Sequence, residues 1–343
     1  MKAAIYRAHG PVDVLGIEDI ADPLPGPRDV LVAVRAAALN RLDVLQRAGP
    51  AVVPDFSLPH IGGTDIAGDV IAVGTDVDPV LLHRRVVVNP AVACGACEPC
   101  DSGDDRFCAR PIVIGGNRPG GFAELAVVPA TNVHAIPDGV DYSEAAAIPT
   151  TWSTAWKGIV GAGRLQAGET VVIHAAGSGV SVAAIQIAAS LGATVIATAG
   201  TDEKLERAVK LGADITINNR RDDIVAATRA ATAGLGADMV FDHVGPALFQ
   251  ASLFSLRPRG RMVFCGTTSG TDATFNLGHA FHSGLSLLGV EPFSSAEFEE
   301  VLAFYWNGDF DAVVDSELPL DQAREAQRRM EAGALFGKII LRP

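Results

Sequence analysis

The chain has 343 residues, of which 48% are apolar, and carries a formal net charge of −13 with a pI near 5.0. That length makes two domains the expectation, and the acidic balance argues against nucleic acid or an anionic membrane as partner, because phosphate binding needs clustered Lys and Arg. No stretch of about eighteen apolar residues free of charges and turn formers offers a membrane span. The opening Met1-Lys-Ala-Ala-Ile-Tyr-Arg7 lacks an apolar signal region, so it reads as a first strand and a cytoplasmic location is expected.

Residues 1 to about 145 are rich in Pro, Gly and short Val-rich runs, among them Val30–Val34, Val70–Val73 and Val86–Val88, a pattern of many short strands and turns. Within this half Cys94, Cys97, Cys100 and Cys108 are separated by two, two and seven intervening residues, with Gly95, Pro99 and Gly103 as turn formers between them. Four thiolates in so short a run suit one tetrahedral zinc and close its shell. Such a metal stabilises a loop and leaves no position for substrate.

From about residue 146 apolar runs of strand length alternate with longer Ala-rich segments: Thr170–His174, then Val180–Leu191, then Thr194–Thr198. This is a β-α-β pattern with a parallel sheet, continued by strands at Ile215–Ile217, Met239–Asp242 and Arg261–Cys265 and ending near residue 285. The last sixty residues contain helical patterns at Ser295–Trp306 and Leu320–Ala332 and a closing strand, Lys338–Leu341. They are expected to return to the first domain, giving domains at 1–145 with 286–343 and at 146–285. There is no internal repeat.

The turn after the first strand of the second half reads Ala175-Ala-Gly-Ser-Gly-Val-Ser181 and opens a helix. Gly177 and Gly179 would let bare backbone approach a pyrophosphate, whose charge would sit on the helix N-terminus with Ser178 and Val180. The third glycine of the dinucleotide fingerprint is replaced by Ser181 or Val182. The next strand ends Ala197-Thr-Ala-Gly-Thr-Asp-Glu-Lys204 without a carboxylate at its end. Small residues there leave room for a 2′-phosphate within reach of Thr201, Lys204, and Arg220 or Arg221, so NADP(H) is favoured over NAD(H). Alternatively, Asp202 and Glu203 only charge the helix start and Lys204 is solvated.

These segments, together with Gly68-Asp-Val-Ile-Ala-Val-Gly74, Gly120-Gly-Phe-Ala-Glu124 and the closing Phe336-Gly-Lys-Ile-Ile-Leu-Arg-Pro343, resemble the medium-chain dehydrogenase/reductase superfamily over essentially the whole chain. The resemblance implies a GroES-like β-rich catalytic domain plus a Rossmann doubly wound parallel sheet inserted between its two parts, an active site in the cleft, and a structural zinc on the four cysteines. Zinc alcohol dehydrogenases hold a second, catalytic zinc with two Cys and one His. Here those positions look like Asn40, Thr64 and Thr150, none of them a good zinc ligand. The segments around them resemble the zinc-independent quinone oxidoreductases instead.

Without a Lewis acid the easiest acceptor is a conjugated one, a quinone or an α,β-unsaturated carbonyl, whose charge after hydride addition spreads into an enolate or phenolate. Tyr6, Tyr142 and Tyr305 offer no obvious active-site acid. The candidate catalytic residues are Asn40, Asp43, Thr64 and Asp65, with protons from solvent. Candidate cofactor contacts are Asn40, Thr150, Thr154, the Gly177–Val180 turn, Thr201, Lys204, Val244, Gly266 and Lys338. Plainer roles stand beside these. Asn40 can simply cap a helix, Asp65 can bond local amides, His60 reads as a loop histidine, Trp152 and Trp156 as packing, and Cys265 as a small buried residue. Competing functions are an enoyl-thioester reductase, an alcohol dehydrogenase holding metal on Asp65 and His60, and a cofactor-binding sensor. A homodimer or homotetramer is expected, through the strand Leu285–Val290.

Overall fold

Ten residues, Asp29–Ala38, β-branched at first and small at the end, form the longest strand and fix the neighbourhood of the candidate site. Val30, Val32 and Val34 are buried, and Ala36, Ala37 and Ala38 let neighbouring strands close in from both sides. The computed structural model describes residues 1–343, and its chain divides into two units, Met1–Thr150 with Phe293–Pro343, and Thr151–Pro292.

In the first unit a seven-stranded sheet runs Val133–Ala135, Arg85–Val88, Asp65–Val73, Asp29–Ala38, Lys338–Arg342, Val314–Pro319, with Leu125–Pro129 also paired to Asp29–Ala38. A three-stranded sheet joins Lys2–Tyr6 to Leu15–Asp19 and His60–Ile61. Val32, Ile66, Val70, Val86, Phe122 and Ile339 belong to the core between them. Two register facts place the site: Ala38 pairs with Asp65 on one side and with Ile340 on the other. Asn40, two residues past Ala38, therefore falls beside both Asp65 and Lys338. A small hairpin, Ala91–Val92 with Ile112–Val113, closes the base of the cysteine lobe.

The second unit is a six-stranded parallel sheet in the order Ile215–Asn218, Thr194–Ala199, Thr170–Ile173, Ala237–Asp242, Leu256–Phe264, Ser286–Gly289. In chain sequence that is 3-2-1-4-5-6, the order of the doubly wound dinucleotide fold. No helix of the chain is long and apolar enough to cross a membrane.

Three elements differ from the sequence pattern. The strand expected at Arg261–Cys265 already begins at Leu256, because a register shift between Ala237 and Met239 lets its neighbour pair with Leu256 as well. The helix expected from Leu320 opens as a 3-10 turn, Leu320–Gln322, and becomes α-helical at Ala323–Glu331. The helix Pro149–Trp156 widens into a π turn, Lys157–Ala162. A Cβ at Gly158 would lie 2.3 Å from the Phe241 ring, so glycine is what lets the turn press onto the sheet.

Candidate active site, metal lobe and dinucleotide turn

The three positions that resemble lost zinc ligands come together. Asn40 Nδ2 donates to Thr64 Oγ1 at 2.7 Å, and Thr64 Oγ1 lies 3.5 Å from Thr150 Oγ1. Behind them Asp65, wholly buried, accepts from Asn40 Nδ2 (2.8 Å), from the Thr150 amide (3.0 Å) and from the Thr150 hydroxyl (2.6 Å). Lys338 completes the cluster, its ammonium donating to Asn40 Oδ1 at 2.7 Å and to Asp65 Oδ2 at 3.0 Å. Four of the five residues are buried and Thr150 is half-buried.

Asp43 holds this arrangement from below. It is the third residue of the helix Arg41–Ala48, for which Asn40 is the N-cap, and its carboxylate accepts from the Asn40 amide (2.7 Å) and the Gly63 amide (2.8 Å). Burial pushes Asp43 up to about 7, against the pull of those two amides. Both oxygens are committed to backbone, so Asp43 ties the segment at Asn40 to the one at Thr64.

Asp65 bonds no local amides; its partners come from residues 40, 150 and 338, which pairing of distant strands brings together. Lys338, a candidate cofactor contact, turns its ammonium onto Asn40 and Asp65. His60 is no loop residue. It lies buried in the strand His60–Ile61, its Nε2 2.9 Å from the Gly115 carbonyl and its ring against Tyr6 and Phe56, and burial lowers its pKa. Those contacts give His60 a packing role. Tyr6 and Tyr305 are held as neutral phenols by burial, and Tyr142 donates to Asp69. Trp152 is buried as packing. Cys265 sits just past the strand Leu256–Phe264 and is pushed up to about 12 by burial, which leaves it an unreactive thiol.

The cysteine lobe gathers its four sulfurs within 4.8 Å of one another, with Cys97 Sγ 3.4 Å from Cys100 Sγ. Backbone amides aim at the sulfurs: Cys94 and Arg110 donate to Cys108 Sγ, and Ala109 to Cys97 Sγ. The Ala96 amide first, and then the Cys108 side chain, pull Cys94 down to about 6, while burial pushes Cys100 up to about 11. Converging thiols with amides set to stabilise thiolate charge fit one tetrahedral zinc, which Cys94, Cys97, Cys100 and Cys108 would hold. Asp105, three residues before Cys108, also accepts from the Ser295 amide (3.2 Å) and hydroxyl (2.6 Å) at the start of the helix Ser295–Asn307.

In the second unit the helix Gly179–Ser190 follows Thr170–Ile173 through a tight turn in which Ala175 has φ 51° and the N-cap Ser178 makes no side-chain cap bond. No side chain caps the first-turn amides, as an anion-binding helix start requires. Ser181, where the fingerprint has glycine, donates to the His174 carbonyl (2.6 Å) and meets His243 Nε2 at 2.7 Å. His174 itself is buried between Thr198 and Ser252, and Ser252 donates to Asp242. Sequence reading missed this network; its signal was a lone polar residue ending each of two apolar strands, at His174 and Asp242. Thr201 caps the next helix, accepting from the Lys204 amide. Arg221 pairs with Asp202 and Asp222, whereas the exposed Arg220 guanidinium has no carboxylate partner. A Cβ at Gly200 would lie 2.9 Å from Arg220 Nε. Thr154 is half-buried on the helix Pro149–Trp156, and Val244 and Gly266 follow the ends of adjacent strands.

A β-rich unit with a thiolate lobe and a doubly wound unit with an open helix start define a class, the pyridine-nucleotide oxidoreductases with a GroES-like and a Rossmann-type domain. The zinc-binding dehydrogenase family matches residues 179–307, and the alcohol dehydrogenase GroES-like domain matches residues 26–138. A quinone oxidoreductase of Pseudomonas aeruginosa is 30% identical, covering 100% of this chain and 99% of its own. An acryloyl-coenzyme A reductase of Sulfurisphaera tokodaii is 28% identical over 100% of both. A solved structure of an NAD-dependent alcohol dehydrogenase is 42% identical, with a TM-score of 0.95 over 100% of both chains. The chain belongs to the medium-chain dehydrogenase/reductase superfamily, whose members bind NAD(P)(H) and usually zinc.

Proposed function

We propose that this protein reduces quinones or α,β-unsaturated carbonyls with NADPH and uses no catalytic metal. The observation that carries the reading is the donor set at positions 40, 64 and 150: an amide and two hydroxyls, already bonded to one another and to the ammonium of Lys338. These are neutral hydrogen-bonding groups around an internal cation, suited to a delocalised enolate or phenolate rather than to the localised alkoxide of a simple ketone. The nicotinamide supplies the hydride when bound. Thr64 orients the acceptor's oxygen, Asn40, Thr150, Asp43 and Asp65 hold that threonine in place, and solvent supplies the proton. The four cysteines would hold one structural zinc.

Preference for NADPH rests on Arg220, which lies against Gly200 without a carboxylate partner. Replacing it (Arg220→Ala) is expected to raise KM for NADPH by about ten- to a hundredfold, the loss of one charged hydrogen bond, and to leave KM for NADH unchanged. We further propose a cytoplasmic homodimer or homotetramer. Reduced thiols suit that compartment. Ser286–Gly289 is a sheet edge, and Leu277 (72% exposed) and Phe281 (75%) lie one helical turn apart nearby in sequence.

The test is consumption of NADPH or NADH at 340 nm with a quinone, an enone, an enoyl thioester or a simple ketone as acceptor, on protein of known zinc content. Quinone or enone turnover with one zinc per chain supports the reading. Ketone reduction that needs a second zinc would overturn it, and faster turnover of the thioester would move the substrate class.

A further inference from the structure

Counting the protons in the Asn40 cluster assigns a direction to every hydrogen bond in it. Lys338 can only donate and the Asp65 carboxylate can only accept, so the Asn40 amide must turn its oxygen to Lys338 and its nitrogen to Asp65. The two amide hydrogens are then spent, one on Asp65 Oδ2 (2.8 Å) and one on Thr64 Oγ1 (2.7 Å). The single Thr150 hydroxyl proton is spent on Asp65 Oδ1 at 2.6 Å. Two protons remain uncommitted, the third of the buried Lys338 ammonium and that of the Thr64 hydroxyl. Thr64 is the one member of the cluster beside the half-buried Thr150 with a proton to give. Its oxygen already accepts from Asn40, and its nearest protein acceptor, Thr150 Oγ1, lies at the outer limit of a hydrogen bond, 3.5 Å.

We propose that Lys338, Asn40 and Thr64 form a one-way donor chain, Nζ–H to amide oxygen to amide N–H to hydroxyl oxygen, and that the Thr64 hydroxyl is the group that donates to the acceptor's developing oxyanion. The assignment rests on the reductase reading and deepens it. Asn40 has no hydrogen left to give to that oxygen. Each donor polarises the next, so a cation at one end strengthens the O–H donor at the other. The half-buried Thr150 marks the side from which an oxygen can enter beside Thr64. Thr64 thus touches the reacting group and is catalytic, whereas Lys338 acts through Asn40 and is a positioning residue. With an enone, the β-carbon gains a C–H bond from the hydride and the π pair moves onto oxygen as enolate. The nicotinamide is oxidised, and water protonates the α-carbon. Thr64 keeps its proton throughout.

The experiment compares wild type with Thr64→Val, Thr64→Ser and Lys338→Met in two assays. The first is turnover of quinones and enones of decreasing electron affinity, with NADPH affinity measured separately by fluorescence. The second is absorbance titration of 4-nitrophenolate, a planar oxyanion, in the presence of NADP⁺. Thr64→Val is expected to lower kcat by about ten- to a hundredfold, most for the weakest acceptors, and to weaken nitrophenolate binding, with NADPH affinity unchanged. Thr64→Ser should restore both to within about threefold, since it keeps the donor. Lys338→Met should weaken nitrophenolate binding without touching it. Wild type and Thr64→Val alike in nitrophenolate binding, or Thr64→Ser as impaired as Thr64→Val, would overturn the chain. Thr64-dependent nitrophenolate binding with no turnover of any quinone or enone would uphold the chain and sink the reductase reading instead.

Discussion

Replacing Lys338 by Met removes the only cation from a pocket in which Asp65 is 0% exposed. Loss of one partner of a buried pair costs about 3–5 kcal/mol, because the remaining charge is left without compensation. Asp65 keeps three donors, Asn40 Nδ2 and the amide and hydroxyl of Thr150, so the lower end, about 3 kcal/mol, is expected. For a unit of this size that corresponds to a fall in Tm of roughly 6–12 °C. Asp65→Asn should be destabilising for the converse reason, leaving a buried ammonium. The decisive variant is the double one: with both charges gone the pocket is neutral, and Lys338→Met with Asp65→Asn should be more stable than the sum of the single losses by at least about 1.5 kcal/mol. Urea unfolding of the zinc-loaded protein, followed by circular dichroism, measures all three. A Lys338→Met protein within about 0.5 kcal/mol of wild type, or additive single losses, would mean that the pair is not the buried, coupled unit its geometry describes.

Elemental analysis is expected to find one zinc per chain. Its removal by a strong chelator, or Cys108→Ser, should raise amide exchange at Ser295 to Glu297, because Asp105 links the lobe to that helix start; protection unchanged on metal loss would break the link. Burial holds His174 at about 4, below the ordinary 6.5. Between those values the unfolded chain binds a proton that the folded one does not, so stability should rise with pH across that window, by at most about 3 kcal/mol, and be lost on acidification. His174→Gln should flatten the slope, and an unchanged slope would remove His174 as its source. Phe281→Glu is expected to shift the oligomer toward monomer in analytical ultracentrifugation, and an intact oligomer would move the interface away from this edge.

Features set by neighbouring residues were legible in the sequence. The cysteine spacing announces the lobe, and alternating apolar runs announce the parallel sheet in which Thr170–Ile173 leads into the helix Gly179–Ser190. What escaped depends on pairing between distant segments. Asn40 and Lys338 are 298 residues apart and meet only because Ala38 pairs with Ile340. Asp65 has no side-chain partner among its sequence neighbours, and Thr150 lies 85 residues on. His60 looked like a loop residue because a two-residue strand has no periodicity to detect; its pairing with Tyr6 is visible only in the fold. The buried Lys338 did leave a trace, a lone charge heading the apolar run Ile339-Ile-Leu341.

Charge balance ties the amide, the two hydroxyls and the ammonium of this cluster together. A zinc held by two thiolates and a neutral imidazole forms a neutral site, because the dication is matched by two anions. With an amide and two hydroxyls at those positions, a dication beside Asp65 would leave a net positive charge in a nearly dry pocket, which is costly. A single ammonium balances Asp65, and the neutral amide and hydroxyls then satisfy the remaining donors and acceptors. Placing any one metal-binding side chain at position 40, 64 or 150 would not by itself make a metal site, because Lys338 already supplies the charge that the pocket needs. Neutral side chains at positions 40, 64 and 150 and inward placement of Lys338 are thus two halves of one electrostatic solution, and the proposed donor chain to Thr64 follows from it.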